Sequence, residues 1–97
     1  MKIVKAASAG TVESSDILIT VKPNDTGVEL ELNSTVEKQF GDQIRKVILE
    51  TLEELSVSNV IIQATDKGAL DCVIKARVQA AVVRGTDGEK FNFGGVK

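Results

Sequence analysis

Between Val36 and Leu55 the chain carries a stripe of apolar residues, Val36, Phe40, Ile44, Val47, Ile48, Leu52 and Leu55, at spacings of three or four. That period places them on one face of an α-helix, with Lys38, Asp42, Arg45, Glu50 and Glu53 mainly outside it. Ser34 and Glu37 fit a capping box at the helix start, each side chain able to satisfy a free backbone N–H. Gly41 lies inside the stripe, where it costs about 1 kcal/mol relative to Ala, and points to close packing or an irregular first turn. One strongly amphipathic helix has to bury its stripe against something else. The rest of the chain must supply that surface.

The partner surface reads as β-structure. Ile17-Leu18-Ile19-Thr20-Val21 suits a half-buried strand, and Pro23 stops it. Pro23-Asn24-Asp25-Thr26-Gly27 is strong turn chemistry, and beyond it Val28, Leu30 and Leu32 alternate with Glu29, Glu31 and Asn33. This pattern predicts an antiparallel hairpin with one wet, acidic face. Lys2 to Ser8 is a further candidate strand, and Val60 to Thr65 another, ending in the turn-like Asp66-Lys67-Gly68. From Leu70 to Val83 an alternating pattern favours a long strand. A helix competes for that segment, but would set Arg77 on the same face as Ile74 and Val78. The order β-β-β-α-β-β predicts an α+β domain over residues 1–84, a mostly antiparallel sheet with one long helix packed on one face. Residues 85–97, glycine-rich with Phe91 and Phe93 isolated, read as a mobile tail.

Composition bounds the chemistry. At 97 residues there is room for one core, and with three Phe and no Trp or Tyr that core must be aliphatic. The absence of His removes the side chain best placed to exchange protons near neutral pH, together with the Ser/His/Asp and Cys/His nucleophile pairs. Self-sufficient hydrolysis is disfavoured. One Cys without His leaves too few ligands for structural zinc and makes no intramolecular disulfide. A net charge of −2 and few aromatic platforms argue against nucleic acid. Met1 to Ala9 lacks an apolar signal core and no stretch reaches membrane-span length, so the expectation is a cytoplasmic protein with no membrane partner.

Few residues stand out as candidate sites. Ala9 to Asp16 is a small, polar interruption between apolar runs. It reads first as an ordinary Ser-rich turn. Should Ser14 or Ser15 expose its hydroxyl, it suits modification by another enzyme better than autonomous nucleophilic attack, because no His is available as base. Strand alternation groups Cys72 with Leu70 and Ile74 on the apolar side, which predicts an inert core thiol. Glu29 with Glu31, and Glu50, Glu53 and Glu54, read as solvated faces. Gly85 to Lys90 has the wrong spacing and context for a phosphate loop.

Three blocks in order, Ala9 to Asp16 (AGTVESSD), Val36 to Leu55 (VEKQFGDQIRKVILETLEEL) and Asp66 to Val78 (DKGALDCVIKARV), resemble the acyl carrier protein, or gamma subunit, of citrate lyase. The resemblance spans about Met1 to Arg84. It implies that a serine in the first block carries a covalently attached 2′-(5″-phosphoribosyl)-3′-dephospho-coenzyme A through a phosphodiester. By match to the motif that serine is Ser14, with Ser15 the fallback for a register one residue off. The resemblance further implies a non-catalytic subunit whose attached thiol carries acetyl. An alpha subunit would exchange acetyl for citryl, a beta subunit would cleave the citryl thioester to oxaloacetate, and a prosthetic-group transferase would load the arm. Tethering holds an intermediate at high effective concentration near successive active sites. Lys38, Arg45 and Lys46 are candidates for docking the larger subunits.

Common phosphopantetheine carriers are helical bundles with the serine at a helix start, usually after Asp. Here Ser14 follows Glu13 and precedes a β-rich stretch. A malonate decarboxylase carrier with a similar arm is the nearest alternative. An unmodified structural or ligand-binding α+β module, and an enzyme using Cys72, are the readings from other classes.

Overall fold

The computed structural model describes residues 1–35 and 37–86. Four strands, β1 (Ala7–Gly10), β2 (Ile17–Lys22), β3 (Val28–Ser34) and β4 (Val60–Asp66), alternate with two helices, α1 (Glu37–Glu54) and α2 (Asp71–Gly85), in the order β-β-β-α-β-α. The sheet order is β1-β2-β4-β3. β1 and β2 pair antiparallel, β2 and β4 pair antiparallel, and β3 runs parallel to β4 across the α1 crossover. The α+β class agrees with the sequence expectation, but the sheet is mixed and a second helix replaces the last strand.

β4 reads VIIQATD and lies between two neighbours, with Val60, Ile62, Ala64 and Asp66 all buried. A strand this rich in apolar and β-branched residues is stabilised most at the centre of a sheet, where both edges are hydrogen-bonded and one face is dry. β4 therefore separates β2 from β3, and the expected β2–β3 hairpin does not form. The turn chemistry at Pro23 to Gly27 is nonetheless real. The Asn24 side-chain amide donates to the Gly27 carbonyl at 2.9 Å and Gly27 takes φ 102. That turn crosses two strand spacings, about 10 Å, instead of one, and its gap is closed where Gly27 N–H donates to Asn59 Oδ1 and Val60 N–H to the Gly27 carbonyl.

α1 buries Ile44, Ile48 and Leu52 as its stripe requires, Leu55 just beyond its end is buried too, and Gly41 is buried as well. Phe40 departs from the expected core and is 53% exposed, because the face it presents opens onto a groove. Ser34 is the last residue of β3, and its hydroxyl donates to Asp66 Oδ2 at 2.9 Å, whereas the capping box expected with Glu37 lies outside the described residues. The side chains of Val36, Glu37 and Lys38 lie outside the described set. At the other end Ser56 adopts φ 58, Ser56 N–H donates to the Glu53 carbonyl and Val57 N–H to the Leu52 carbonyl. This is a Schellman motif with Ser where Gly is usual.

The segment after Leu70 is a helix, which corrects the strand expectation. Its buried positions are Ile74, Val78, Ala81, Val82 and Gly85, a helical stripe at i, i+4, i+7, i+8 and i+11. Ile74, Val78 and Val82 are four apart, a spacing that satisfies period two as well as 3.6, so the alternating pattern misled at those positions. The odd-numbered Ala81 and Gly85 decide between the two. Lys75, Ala76, Arg77, Gln79, Ala80 and Ala81 are also good helix formers. Both helices pack on one face of the sheet around a core that is aliphatic among the described residues. Gly85 closes α2, and its carbonyl accepts from Val4 N–H and Lys5 N–H. Of the expected tail, residues 87–97, Phe91 and Phe93 included, lie outside the described residues.

The two phasings of α2 make opposite demands on alanines five residues apart. Ala81 is fully buried and Ala76 exposed, so Ala81→Glu should cost more than 3 kcal/mol by burying an unpaired charge. Ala76→Glu should stay within about 0.5 kcal/mol. Urea unfolding followed by far-UV circular dichroism separates them, and equal costs would contradict the helix.

Candidate functional site

The β1–β2 connection, Thr11 to Asp16, is an exposed loop with an ordered base. Gly10 enters it at φ 97, and a Cβ there would overlap the Ile17 carbonyl oxygen, so only glycine lets the two strands approach at this point. Asp16 N–H donates to the Glu13 carbonyl at 3.1 Å, closing a four-residue turn with Ser14 and Ser15 at its corners. Ser15 takes φ 66, the left-handed conformation that a type II turn needs at its third residue. For a non-glycine residue this costs about 1 kcal/mol. The neighbouring loop holds it there. Ser15 N–H donates to the Lys67 carbonyl and Lys67 N–H to the Asp16 carbonyl, both at 2.9 Å.

Asp16 is the knot of the loop. Arg77 on α2 grips its carboxylate at both ends, Nε to Oδ1 at 3.1 Å and the NH2 group to Oδ2 at 3.0 Å. The Thr11 hydroxyl donates to Oδ2 at 2.7 Å, and Ile17 N–H to Oδ1 at 2.7 Å. Thr11 Oγ1 also accepts from Glu13 N–H. The Arg77 hydrogen bonds first, then those from Thr11 and the Ile17 amide, pull the Asp16 carboxyl down from its ordinary 3.8 to about 2. The position of Arg77 beside Ile74 and Val78, which weighed against a helix in the sequence, is what lets it reach the loop.

Ser14 stands exposed at the corner of this turn. Among the described residues its hydroxyl has no hydrogen-bond partner. The Asp16 carboxylate is committed to Arg77. The arrangement presents an exposed hydroxyl on a fixed base, in a chain with no histidine to deprotonate it. Ser15 is exposed too, but its backbone is consumed in bracing the turn.

The other candidates disperse. Glu29 and Glu31 lie on the uncovered sheet face and accept from Asn24 and Gln63, and Glu54 pairs with Lys75 at 3.1 Å. Glu50 and Glu53 are exposed. Cys72 is a correction. Helical phasing moves it off the core, and it is an exposed thiol in the first turn of α2. Lys46 is exposed and Arg45 half-buried, whereas the Lys38 side chain is outside the described set. No group of acidic, His or Cys residues able to hold a metal occurs among the described residues. No described helix is long and apolar enough to cross a membrane.

Comparison with known proteins adds to this geometry. The family described as malonate decarboxylase delta subunit matches residues 4–85. The chain is 53% identical to the citrate lyase acyl carrier protein of Latilactobacillus sakei, over 96% of this chain and 92% of that one. To its counterpart in Halothermothrix orenii it is 56% identical over 91% and 94% of the two chains, and to that in Vibrio cholerae 57% over 96% of both. The chain belongs to the citrate lyase acyl carrier protein family. Its fold is shared further: a chain in the crystal structure of a Pseudomonas malonate decarboxylase hetero-tetramer in complex with malonate superposes with a TM-score of 0.74 over 87% of both chains, at 16% identity. Carriers of this family bear a covalently bound prosthetic group.

Arg77 and Asp16, which organise the loop, were not singled out as site residues in the sequence. Arg77 stands next to last in the third of the three blocks and Asp16 ends the first, and only the fold joins them.

The Asp16–Arg77 pair carries a sign with pH. Because folding lowers the Asp16 pKa to about 2, its contribution is complete above roughly pH 4 and declines as pH falls toward 2. Acid titration of stability by urea unfolding should show this loss in the wild type. Asp16→Asn and Arg77→Met should both flatten that part of the profile, and an unchanged acid slope in Arg77→Met would refute the coupling.

Proposed function

We propose that the chain is the acyl carrier subunit of citrate lyase, with residues 1–84 as its carrier domain and Ser14 as the attachment point. The observation that carries the reading is the exposed Ser14 hydroxyl, unpartnered among the described residues, on a turn pinned from below by Asp16 and Arg77. These residues fit a group joined through a phosphodiester. The hydroxyl is free to be linked, and no core contact is lost in linking it. The group is 2′-(5″-phosphoribosyl)-3′-dephospho-coenzyme A, which when bound supplies a terminal thiol for carrying an acyl group. This chain contributes no catalytic side chain of its own. Ser14 holds the arm, and Asp16, Arg77 and the Lys67 backbone fix the point from which it swings.

The partners in this reading are an acyl-transferring alpha subunit, a lyase beta subunit and a transferase that loads Ser14, in the cytoplasm. A malonate decarboxylase-type carrier is the second reading, favoured by the family match over residues 4–85 and by the shared fold. The names of relatives more than half identical weigh toward citrate lyase.

Intact-mass measurement after co-expression with the transferase should show one added arm on the wild type and none on Ser14→Ala. Ser15→Gly should retain the full addition. It should also stabilise the fold by about 1 kcal/mol, since glycine accepts φ 66 without strain. Loss of the addition in Ser15→Gly, with its retention in Ser14→Ala, would move the site to Ser15.

A further inference from the structure

A groove of about 430 Å³ opens between α1 and the β4–α2 loop, lined by Phe40, Gln43, Ile44, Ala69, Leu70 and Asp71 among others. Its walls are mainly apolar. Phe40 is 53% exposed and Leu70 70%, the latter the largest exposure among the described large apolar side chains. Burying such surface is favourable, so two large side chains left in water on facing walls call for an occupant.

The loop that forms one wall is the loop that braces Ser14. Lys67 exchanges backbone hydrogen bonds with Ser15 and Asp16, and Gly68 N–H and Ala69 N–H donate to the buried Asp66 carboxylate at 3.0 Å. Groove and attachment turn therefore share one rigid support. The electrostatics restrict what enters. Among the described residues the lining holds two carboxylates, Asp66 and Asp71, and no Lys or Arg. Asp66 spends its oxygens on Ser34, Gly68 and Ala69, while Asp71 accepts from Gln43 Nε2 at 2.9 Å. A phosphate or an acyl group with free carboxylates is repelled there, whereas an uncharged chain with amides and a thioether-like end is not.

We infer that this groove is the resting seat of the neutral, thiol-bearing end of the arm attached to Ser14, holding the free thiol or a small uncharged acyl thioester and rejecting an acyl group that carries carboxylates. The inference rests on the carrier reading above. It gives the subunit a second role: the uncharged form is sheltered on the carrier between encounters, and acquisition of a charged acyl group releases the arm toward the lyase site.

The test uses the full chain in a Cys72→Ser background, loaded by the transferase and verified by intact mass. Amide resonances of Phe40, Gln43, Gly68 and Leu70 should shift on loading, relative to the unloadable Ser14→Ala chain. They should move back toward their unloaded positions when the arm carries a succinyl in place of an acetyl group. Iodoacetamide should alkylate the arm's free thiol at least threefold faster in Phe40→Ser/Leu70→Ser, whose substitutions lie on exposed positions and leave the core intact. A loaded chain with unmoved groove resonances and equal alkylation rates overturns the seat and leaves the carrier reading standing. Undiminished shifts with succinyl overturn the charge discrimination. Groove resonances that respond only when a larger subunit is added assign the surface to that partner and overturn the inference, and absence of any added mass overturns both readings.

Discussion

The Asp66 carboxylate, 1% exposed at the end of the central strand, is where the parts of this fold that matter for function converge. A carboxylate so buried is tolerated only when donors replace the water it has lost. Three do: the Ser34 hydroxyl at the end of β3, and the Gly68 and Ala69 amides that lead into α2. The next residue, Lys67, joins its backbone to Ser15 and Asp16. One buried group thus ties the parallel edge of the sheet, the start of the second helix and the loop bearing Ser14 into a single unit.

Around that junction the chain separates a rigid base from a free tip. Arg77 reaches from the second helix to clamp Asp16, while Ser14, two residues earlier, keeps an exposed hydroxyl without a partner among the described residues. A carrier needs this division. The attachment point must be accessible to a loading enzyme, yet the origin of the arm must be constant for the effective concentration at successive sites to be high. The strained backbone at Ser15 is a modest cost set against two inter-loop hydrogen bonds.

Legibility followed the range of the interactions. The long helix, the turn at Asn24 to Gly27 and the aliphatic core could be read locally, because period, turn chemistry and the lack of aromatics act within a few residues. The second helix is hidden in the pattern because buried positions four apart fit either period, and Arg77 reads locally only as an awkward charge. Its partner lies 61 residues away, beyond any pattern of spacing. The strand period likewise puts Cys72 in the core, whereas it is exposed. The β2–β3 hairpin failed for a related reason: a good turn says that the chain reverses, not which strand will lie alongside.

The sequence by itself determined an α+β domain with an aliphatic core, no histidine chemistry, and a polar serine loop whose neighbouring blocks resemble a carrier family. Those properties depend on residue types and local periodicity, which a single chain displays openly. Only the tertiary structure decided that β4 lies between β2 and β3, that residues 71–85 are helical, and that Asp16, Arg77 and Lys67 meet beneath Ser14. Each of these depends on a pairing between distant segments, set by which surfaces bury each other best, and such a choice exists only once the whole chain has packed.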